Sequence, residues 1–251
     1  MKTGLFITAR LKSTRLKQKV LKPLKGQPMI WHMVQRLRQA RRPDVIAVCT
    51  SPLEQDDPLA AFAAMEGIGC YRGDPDDVLL RNMRAAEVFG VDTIISCTAD
   101  NPFVDPGYID LLADYHVAEG NDYTRVEGLP WGTFSYALAY PAIVRACEIK
   151  AERDTEVWGG YFTQTGLFKT GVFSVADSAV RRPELRLTVD TPEDFAVVEG
   201  IFDGLYREGT VFPLADIIRY LDAHPELKAL NAQVQQAAAK PIRLKEGVLV
   251  G

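Results

Sequence analysis

Acidic residues are absent from the first 42 positions of this 251-residue chain, although the same stretch carries twelve Lys or Arg side chains. The rest of the chain holds all 33 Asp and Glu residues, and the formal net charge of the whole is −4. This near balance excludes a strongly basic chromatin-type protein and a polyacidic disordered chain. The uneven distribution indicates a basic N-terminal segment on an acidic body.

Cysteine is also scarce, and long apolar runs are missing. The four cysteines, Cys49, Cys70, Cys97 and Cys147, show no CxxC spacing, which predicts reduced core thiols rather than disulfides or a zinc site. The apolar run at residues 4–9 is too short for a signal-peptide core. No run approaches the roughly 18 apolar residues of a membrane span. These absences predict a cytoplasmic protein that does not bind a membrane.

Two nucleotide-binding signatures are missing as well. The chain contains neither GxxxxGK[ST] nor GxGxxG, which disfavours a P-loop NTPase and a typical dinucleotide-binding fingerprint. The three histidines, His32, His116 and His224, are scattered over helical patterns, and we assign them no chemistry.

Short β-rich runs alternate with helical patterns over the first half of the chain. Pro28 suits the first position of one helix, and Gly90 suits the end of another. Four strand–helix alternations predict an α/β protein with a mostly parallel sheet and right-handed crossovers. The predicted strands are 5–8, 45–50, 70–72 and 93–98; a loop is predicted at 10–27, and helices at 28–40, 56–65, 76–89 and 105–115.

After residue 120 the alternation is less regular. We predict one domain over residues 1–240, with a substrate or dimerisation subregion at about 120–175 and a C-terminal tail at 241–251. The predicted elements are strands at 122–126, 167–175 and 185–189, a binding loop or hairpin at 128–139, and helices at 141–151, 192–207, 214–222 and 226–238.

The loop after the first predicted strand concentrates positive charge. Five cations and two hydroxyls lie between Arg10 and Lys19. A triphosphate requires several cations with hydroxyl or backbone donors, and parallel sheets bind ligands at the carboxyl ends of their strands. The loop is therefore predicted to bind nucleotide phosphates. A solvated basic loop and a nucleic-acid contact are the alternatives, but aromatic residues for base stacking are absent from this loop.

Two aspartates at predicted strand ends are not explained by helix capping. Asp105 precedes a proline at a helix start, and Thr191 with Asp194 forms a near capping box. Asp100 and Asp190 cap no predicted helix. Because Mg²⁺ takes one or two carboxylates together with substrate oxygens, both are candidate metal ligands; for Asp100 a turn-forming role is the alternative.

A further segment joins the third predicted strand to its helix. Arg72 follows the strand and is a candidate contact to a base or ribose. Asp76 or Asp77 suits the positive end of the following helix dipole. Arg81 lies one turn along and is predicted to form an ion pair on the helix.

At these four segments the chain resembles the sugar-activating cytidylyltransferases. These include the CMP-ketodeoxyoctonate synthetases, the acylneuraminate cytidylyltransferases and, most similar, the spore-coat polysaccharide protein F type. The resemblance extends from the N-terminus to about Tyr206 and is specific in the combination and order of its motifs. The residues that carry it are Thr8-Ala9-Arg10, Ser13-Thr14-Arg15-Leu16, Lys19, Leu24, Gly26-Gln27-Pro28-Met29-Ile30, Tyr71-Arg72-Gly73, Asp77-Val78-Leu79, Thr98-Ala99-Asp100-Asn101-Pro102 and Val189-Asp190-Thr191-Pro192-Glu193-Asp194.

The resemblance implies a single-domain, mostly parallel Rossmann-like sheet of the nucleotide-diphospho-sugar transferase type, assembled as a homodimer. It implies Mg²⁺-dependent transfer of CMP from CTP to an acidic sugar, such as a 3-deoxy-octulosonate or nonulosonate, with release of pyrophosphate for surface glycan synthesis. By matching position, the implied nucleotide-binding residues are Ala9, Arg10, Ser13, Arg15, Lys19, Arg72 and Thr98. The implied catalytic residues are Arg10, Arg15, Lys19 and Asp100, and the implied Mg²⁺ ligands are Asp100 and Asp190.

The middle of the chain departs from the spore-coat type. Ser96 stands where that type commonly has Arg, and residues 155–158 lack the histidine of its Glu-His-Val segment. This region should contact the acceptor, for which Trp131, Tyr136 and Trp158 are weaker candidates, with core or dimer packing as the alternative. The alternative functions are transfer to a heptose, sugar phosphate or phosphonate, use of another NTP, or non-catalytic binding of a nucleotide or nucleic acid.

Overall fold

The computed structural model describes residues 1–236 and 241–248. Its strands are β1 Thr3–Thr8, β2 Pro23–Leu24, β3 Gln27–Pro28, β4 Val45–Thr50, β5 Gly69–Arg72, β6 Thr93–Thr98, β7 Tyr123–Glu127, β8 Tyr136–Ala139 and β9 Thr170–Ser174. Its helices are α1 Met29–Leu37, α2 Asp57–Met65, α3 Val78–Phe89, α4 Pro106–Glu119, α5 Tyr140–Ile149, α6 Gly160–Thr163, α7 Pro192–Leu205, α8 Leu214–Ala223 and α9 Pro225–Ala229.

The main sheet has the strand order β5-β4-β1-β6-β8-β7-β9. β1 pairs in parallel with β4 and β6, and β4 pairs in parallel with β5. β8 is antiparallel to both of its neighbours, β6 and β7. The predicted mostly parallel, Rossmann-like sheet is therefore confirmed. The predicted strands 45–50 and 93–98 coincide with β4 and β6.

Alternating side chains of the central strand divide the core between the two faces of the sheet. Leu5 and Ile7 of β1 pack in a cluster with α1, α4, α7 and α8, whereas Phe6 faces a second cluster with α3 and α5. Cys49 and Cys97 are buried free thiols, and burial raises the pKa of Cys49 to about 12. Cys49 and Cys97 are thus core residues, as predicted, whereas Cys70 and Cys147 are half-buried free thiols that pack against the core. No helix among the described residues is long and apolar enough to cross a membrane.

Helix capping follows the sequence pattern. Asp77 accepts from the backbone N–H of Leu80, and Asp105 accepts from those of Gly107 and Tyr108. The capping box of Thr191 and Asp194 is complete, with both reciprocal bonds present. These residues are held by structural roles, as predicted. Pro28, expected inside α1, is instead the residue before its first turn.

Three predictions about local structure are wrong. Residues 185–189 form no regular strand, because their backbone bonds go to two different segments rather than to one neighbouring strand. The helix predicted at 226–238 ends at Ala229, and its positions 237–238 lie outside the described residues. Arg81 makes no ion pair among the described residues; it is 1% exposed and donates to the carbonyl oxygens of Asp74 and Pro75.

Two other predicted segments contain more structure than expected. The predicted loop 10–27 includes a short 3-10 helix, Lys19–Leu21, and the β2–β3 hairpin. In the predicted tail, the N–H of Lys245 donates to the carbonyl of Ile149, and the carbonyl of Arg243 accepts from Ala151. The described part of the tail, 241–248, therefore lies against the end of α5; residues 249–251 lie outside the described residues.

Candidate active site

The two unexplained aspartates lie side by side at the end of β6. Asp100 follows this central strand, and Asp190 ends an extended segment that runs beside it. The backbone N–H of Val189 donates to the carbonyl oxygen of Asp100 at 2.8 Å. Two residues earlier in the same segment, the N–H of Leu187 donates to the carbonyl of Trp131 at 2.7 Å. These bonds explain both the absence of a regular strand and the proximity of Asp190 to Asp100.

Lys19 bridges the two carboxylates. Its ammonium nitrogen lies 2.7 Å from Oδ2 of Asp100 and 2.9 Å from Oδ1 of Asp190. Its side chain is only 13% exposed. Burial alone would lower the pKa of Lys19, but the charges of Asp100 and Asp190 outweigh burial and raise the pKa above its ordinary value. Lys19 is therefore a fully charged partner of both aspartates.

Each aspartate has one oxygen anchored by the protein and one oxygen directed at Lys19. The hydroxyl of Thr98 donates to Oδ1 of Asp100. The guanidinium of Arg186 donates to Oδ2 of Asp190 at 2.8 Å. The other two oxygens, Oδ2 of Asp100 and Oδ1 of Asp190, converge on the Lys19 ammonium. One cation therefore contacts both carboxylates at once.

Sequence reasoning missed Arg186, which links Asp190 to α7. Its guanidinium also donates to both carboxylate oxygens of Asp194, at 2.8 and 3.0 Å, and the side chain of Asp194 is fully buried. The amide of Asn231 donates to Asp194 as well, at 3.0 Å. Burial would raise the pKa of Asp194, but Arg186, the N–H of Asp190 and Asn231 hold it below its ordinary value. A sequence signal existed, since Arg186 and Asp190 share one face of an extended chain.

Several cations of the predicted phosphate loop form ion pairs with acidic side chains. Arg10 donates to Asp76 at 3.0 Å and is 7% exposed, and its second terminal nitrogen is buried without a hydrogen-bond partner. Lys12 lies 3.4 Å from Glu156. Arg15 reaches Oδ1 of Asp190 at 3.1 Å and is 53% exposed. Thus Arg15 and Lys19 meet the aspartates, whereas Arg10 lies beside Asp76.

Buried groups hold the start of this loop in place. Asp56, which sequence reasoning missed, is fully buried and accepts from the backbone N–H of Leu11 at 2.7 Å. The N–H of Ala9 donates to the carbonyl of Cys49 at 3.2 Å. The hydroxyl of Ser13 accepts from the N–H of Leu16. A buried carboxylate that holds a loop leaves no periodicity in the sequence, so no local pattern could reveal Asp56.

Arg72 is engaged by the protein rather than directed at the aspartates. It donates to the carbonyl oxygens of Ser51 and Leu53, at 2.9 and 3.1 Å, and to Asp57. These bonds tie the end of β5 to the start of α2. A nucleoside contact by Arg72 stays a prediction.

The three predicted acceptor residues differ in exposure. Trp131 is 41% exposed and lies next to the segment that leads to Asp190. Trp158 is buried at 9% exposure, and its ring contacts Tyr136 and Tyr123 edge to face. Tyr136 in turn stacks on Tyr123 at 6.0 Å. Trp158 and Tyr136 thus belong to an aromatic cluster, which is the packing alternative, and Trp131 is the most accessible of the three.

Three of the four remaining N-terminal arginines have side-chain partners, whereas Arg41 donates its backbone N–H to Asp110. Arg38 binds Glu66, and Arg42 binds Asp114. Arg36 is 3% exposed, donates to the carbonyl of Phe212, and lies over the Phe212 ring. Burial lowers the pKa of Arg36 to about 10.

A cavity of about 330 Å³ lies elsewhere in the molecule. Its walls include residues of α1 and the end of α7, and none of the predicted site residues lines it. We therefore place the functional site at the strand ends rather than in this cavity.

The geometry suits oxygen-rich, anionic ligands. Asp100, Asp190 and Asp194 face Lys19, Arg15 and Arg186, so three carboxylates are balanced by three cations. Within residues 1–236 and 241–248, no group of three or more His, Cys, Asp or Glu side chains is arranged to hold a metal ion by itself. The two carboxylate oxygens that contact Lys19 in this structure nevertheless suit Mg²⁺, which takes one or two carboxylates and completes its coordination with water and substrate phosphates.

A Rossmann-like sheet with a cationic loop and paired aspartates at its strand ends is typical of an enzyme that binds a nucleotide together with a divalent cation. The comparisons with known proteins agree with that class. The family model described as Cytidylyltransferase matches residues 5–197. The chain belongs to the cytidylyltransferase family, and it is a nucleotidyltransferase enzyme.

Relatives and solved structures are similar over most of the chain. The spore coat polysaccharide biosynthesis protein SpsF of Bacillus subtilis is 30% identical over 227 residues, which cover 88% of this chain and 94% of the relative. A 3-deoxy-manno-octulosonate cytidylyltransferase of Hydrogenovibrio crunogenus is 28% identical, covering 62% of this chain and 60% of the relative. The structure of a cytidylyltransferase from Leptospira borgpetersenii superposes with a TM-score of 0.83 at 23% identity, covering 95% of this chain and 99% of that chain.

Proposed function

We propose that the protein is a Mg²⁺-dependent CTP:sugar cytidylyltransferase, which transfers CMP to an acidic sugar acceptor and releases pyrophosphate for surface glycan synthesis. The observation that carries the proposal is the convergence of Lys19 on Oδ2 of Asp100 and Oδ1 of Asp190. This arrangement supports a divalent-cation position beside a phosphate-binding loop at the same strand ends.

The chain's own residues supply binding and charge neutralisation. Arg10, Arg15 and Lys19 lie on one loop and would contact the triphosphate. Transfer of a nucleotidyl group requires little covalent chemistry from the protein, because positioning and stabilisation of developing charge dominate. A Mg²⁺ held by Asp100 and Asp190 would neutralise phosphate charge and polarise the reacting phosphate. No histidine base is required by this scheme.

The acceptor is proposed from the relatives. Two names support it: one relative is a spore coat polysaccharide biosynthesis protein, and another is a 3-deoxy-manno-octulosonate cytidylyltransferase. An acidic sugar of the 3-deoxy-octulosonate type is therefore the first acceptor to test. Trp131, exposed beside the segment that leads to Asp190, is the residue we place against the acceptor.

Pyrophosphate release tests the proposal. The protein is incubated with Mg²⁺, each NTP in turn, and a panel of 3-deoxy sugar acids, heptoses, sugar phosphates and phosphonates. We expect release with CTP and a 3-deoxy sugar acid. If pyrophosphate is released only with an NTP other than CTP, the CTP assignment is contradicted. If it is released only with a heptose, a sugar phosphate or a phosphonate, the acidic-sugar acceptor is contradicted. Tight CTP binding without release with any acceptor favours a non-catalytic nucleotide-binding protein.

The proposal includes a homodimer, as the family resemblance implies, and a cytoplasmic location. Analytical ultracentrifugation at several protein concentrations tests the assembly, and a monomer at concentrations that support full activity contradicts it.

A further inference from the structure

Lys19 occupies the position that links the two aspartates. The only oxygens of Asp100 and Asp190 that are not anchored by Thr98 and Arg186 both accept from its ammonium, at 2.7 and 2.9 Å. A divalent cation bound to those oxygens would have to take the place of the ammonium. Lys19 and such a cation therefore compete for the same two ligand atoms.

The local charge is balanced while Lys19 holds this position. The carboxylates of Asp100, Asp190 and Asp194 face the cations of Lys19, Arg15 and Arg186. A divalent cation that enters alone would add two positive charges to a neutral cluster. The displaced Lys19 ammonium would then have no anionic partner in the cluster. A triphosphate removes that obstacle, because it offers Lys19 a new anionic partner on the same loop.

Lys19 differs from the other cations of its loop because it contacts both carboxylates and is largely buried. Among the described residues, Arg15 forms an ion pair only with Asp190; its side chain is 53% exposed, so its charge is largely solvated. Lys17 is exposed and has no ion pair among the described residues. The residue before Lys19, Gln18, takes a left-handed conformation with a φ of 50°, which is unfavourable for a residue other than glycine. The chain thus accepts a strained residue directly before the lysine that meets both carboxylates.

We infer that Lys19 is a resident counter-cation that makes divalent-metal binding conditional on the nucleotide, so that metal and CTP bind with strong positive coupling. The inference rests on the proposed function, because it takes Asp100 and Asp190 as the metal ligands. By reciprocity, the metal must raise CTP affinity by the same factor as CTP raises metal affinity.

Binding of Mn²⁺, followed by electron paramagnetic resonance of the free ion, tests the inference without turnover. Wild type, Lys19→Met and Lys17→Met are titrated with and without CTP, in the absence of any acceptor, and the Mn²⁺ held by CTP alone is subtracted with a protein-free titration. Lys19→Met removes the ammonium and keeps most of the side-chain stem, whereas Lys17→Met removes the same charge from the same loop. Circular dichroism and thermal unfolding confirm that each variant is folded.

In wild type and Lys17→Met, CTP should tighten Mn²⁺ binding by about tenfold or more, within the range of typical coupling. Lys19→Met should bind Mn²⁺ without CTP at least about tenfold more tightly than wild type, and the effect of CTP should largely vanish. Adding Asp190→Asn to Lys19→Met should abolish that gain.

Equal Mn²⁺ affinity of wild type and Lys19→Met without CTP overturns the inference, and so does a gain that survives Asp190→Asn. These outcomes leave the proposed function intact if Mn²⁺ still binds with CTP. Absence of Mn²⁺ binding in every protein, even with CTP, contradicts the metal assignment of the proposed function itself.

Discussion

The backbone N–H of Val189 and the carbonyl oxygen of Asp100 form a 2.8 Å hydrogen bond that joins two segments far apart in sequence. Because side chains alternate along an extended chain, the bond places the Asp190 carboxylate beside that of Asp100. The buried side chain of Val189 packs in the core on the opposite side. The paired carboxylates are thus set by the backbone, and their chemistry can be altered by conservative substitutions.

Asp100→Asn and Asp190→Asn should each lower kcat/KM for pyrophosphate release by about 100-fold or more, the size of effect seen when a charge-stabilising group is removed. Each substitution keeps the shape of the side chain and removes the charge that faces Lys19. Asp203→Asn, at an exposed carboxylate bound only to Lys25, is the matched control and should stay within twofold of wild type. Wild-type rates in either site variant contradict the metal assignment.

Local sequence patterns could identify Asp100 and Asp190 because both stand at chain positions that helix capping does not explain. The caps at Asp77, Asp105 and Thr191 depend on the two or three residues that follow each of them, so the sequence reveals them. The strands β4 and β6 are likewise predictable from a local pattern, because a buried strand is a short apolar run.

The partners of those aspartates could not be found in the same way. Alternation along the chain places Arg186 on the same face as Asp190. The sequence does not show that the backbone around Arg186 bonds to two distant segments, at Trp131 and at Asp100. Asp56 and Asn231 are buried polar residues whose partners are distant in sequence. Such pairs depend on tertiary structure, which carries no period along the chain.

Arg186→Met should lower the free energy of unfolding by about 3 kcal/mol, because it leaves the buried carboxylate of Asp194 without its cation. The Asp194 side chain is fully buried and Arg186 is 11% exposed. Arg182→Met is the control: its partners Asp222 and Glu184 are 45% and 60% exposed, so its loss should cost about 1 kcal/mol or less. Urea denaturation measures both. A loss for Arg186→Met no larger than that for Arg182→Met refutes a structural role for this pair.

Arg10→Met should weaken CTP binding by about tenfold or more, in line with the loss of a charge-assisted hydrogen bond to phosphate. Arg10 is 7% exposed and has one terminal nitrogen buried without a partner. Lys17→Met removes an equal charge from an exposed position of the same loop and should change affinity less than threefold. Isothermal titration calorimetry with CTP at fixed ionic strength separates the two. Equal losses indicate a diffuse charge effect rather than a specific contact.

Gly132→Ala should reduce kcat by about tenfold or more, since small displacements of a reacting geometry are costly. Gly132 has a φ of +94°, and a Cβ there would lie 2.4 Å from the backbone nitrogen of Thr188, on the segment that leads to Asp190. Gly128→Ala is the control, because Gly128 has a φ of +104° but its nearest contact would be 3.3 Å, to a flexible Arg181 side chain. Both variants lose stability from the left-handed backbone. If both variants lose kcat to a comparable extent, the effect is due to backbone strain and not to displacement of the Asp190 segment.

The free energy of unfolding should fall as the pH falls from 8 to 5 because of His116. This ring is 2% exposed, shares a 2.9 Å hydrogen bond with the Thr124 hydroxyl, and has its pKa lowered by burial to about 4, with Asp122 opposing the shift. The unfolded chain, with a pKa of 6.5, therefore takes up a proton first. The contribution of neutral His116 to the free energy of unfolding is present above pH 6.5 and is lost as the pH falls toward 4, with a loss of about 2 kcal/mol by pH 5.

Urea denaturation at each pH measures this loss, which should be smaller by that amount in His116→Gln. The buried His32, whose pKa burial also lowers, should retain part of the pH dependence. An unchanged pH dependence in His116→Gln would show that the His116 ring titrates alike in the folded and unfolded chains.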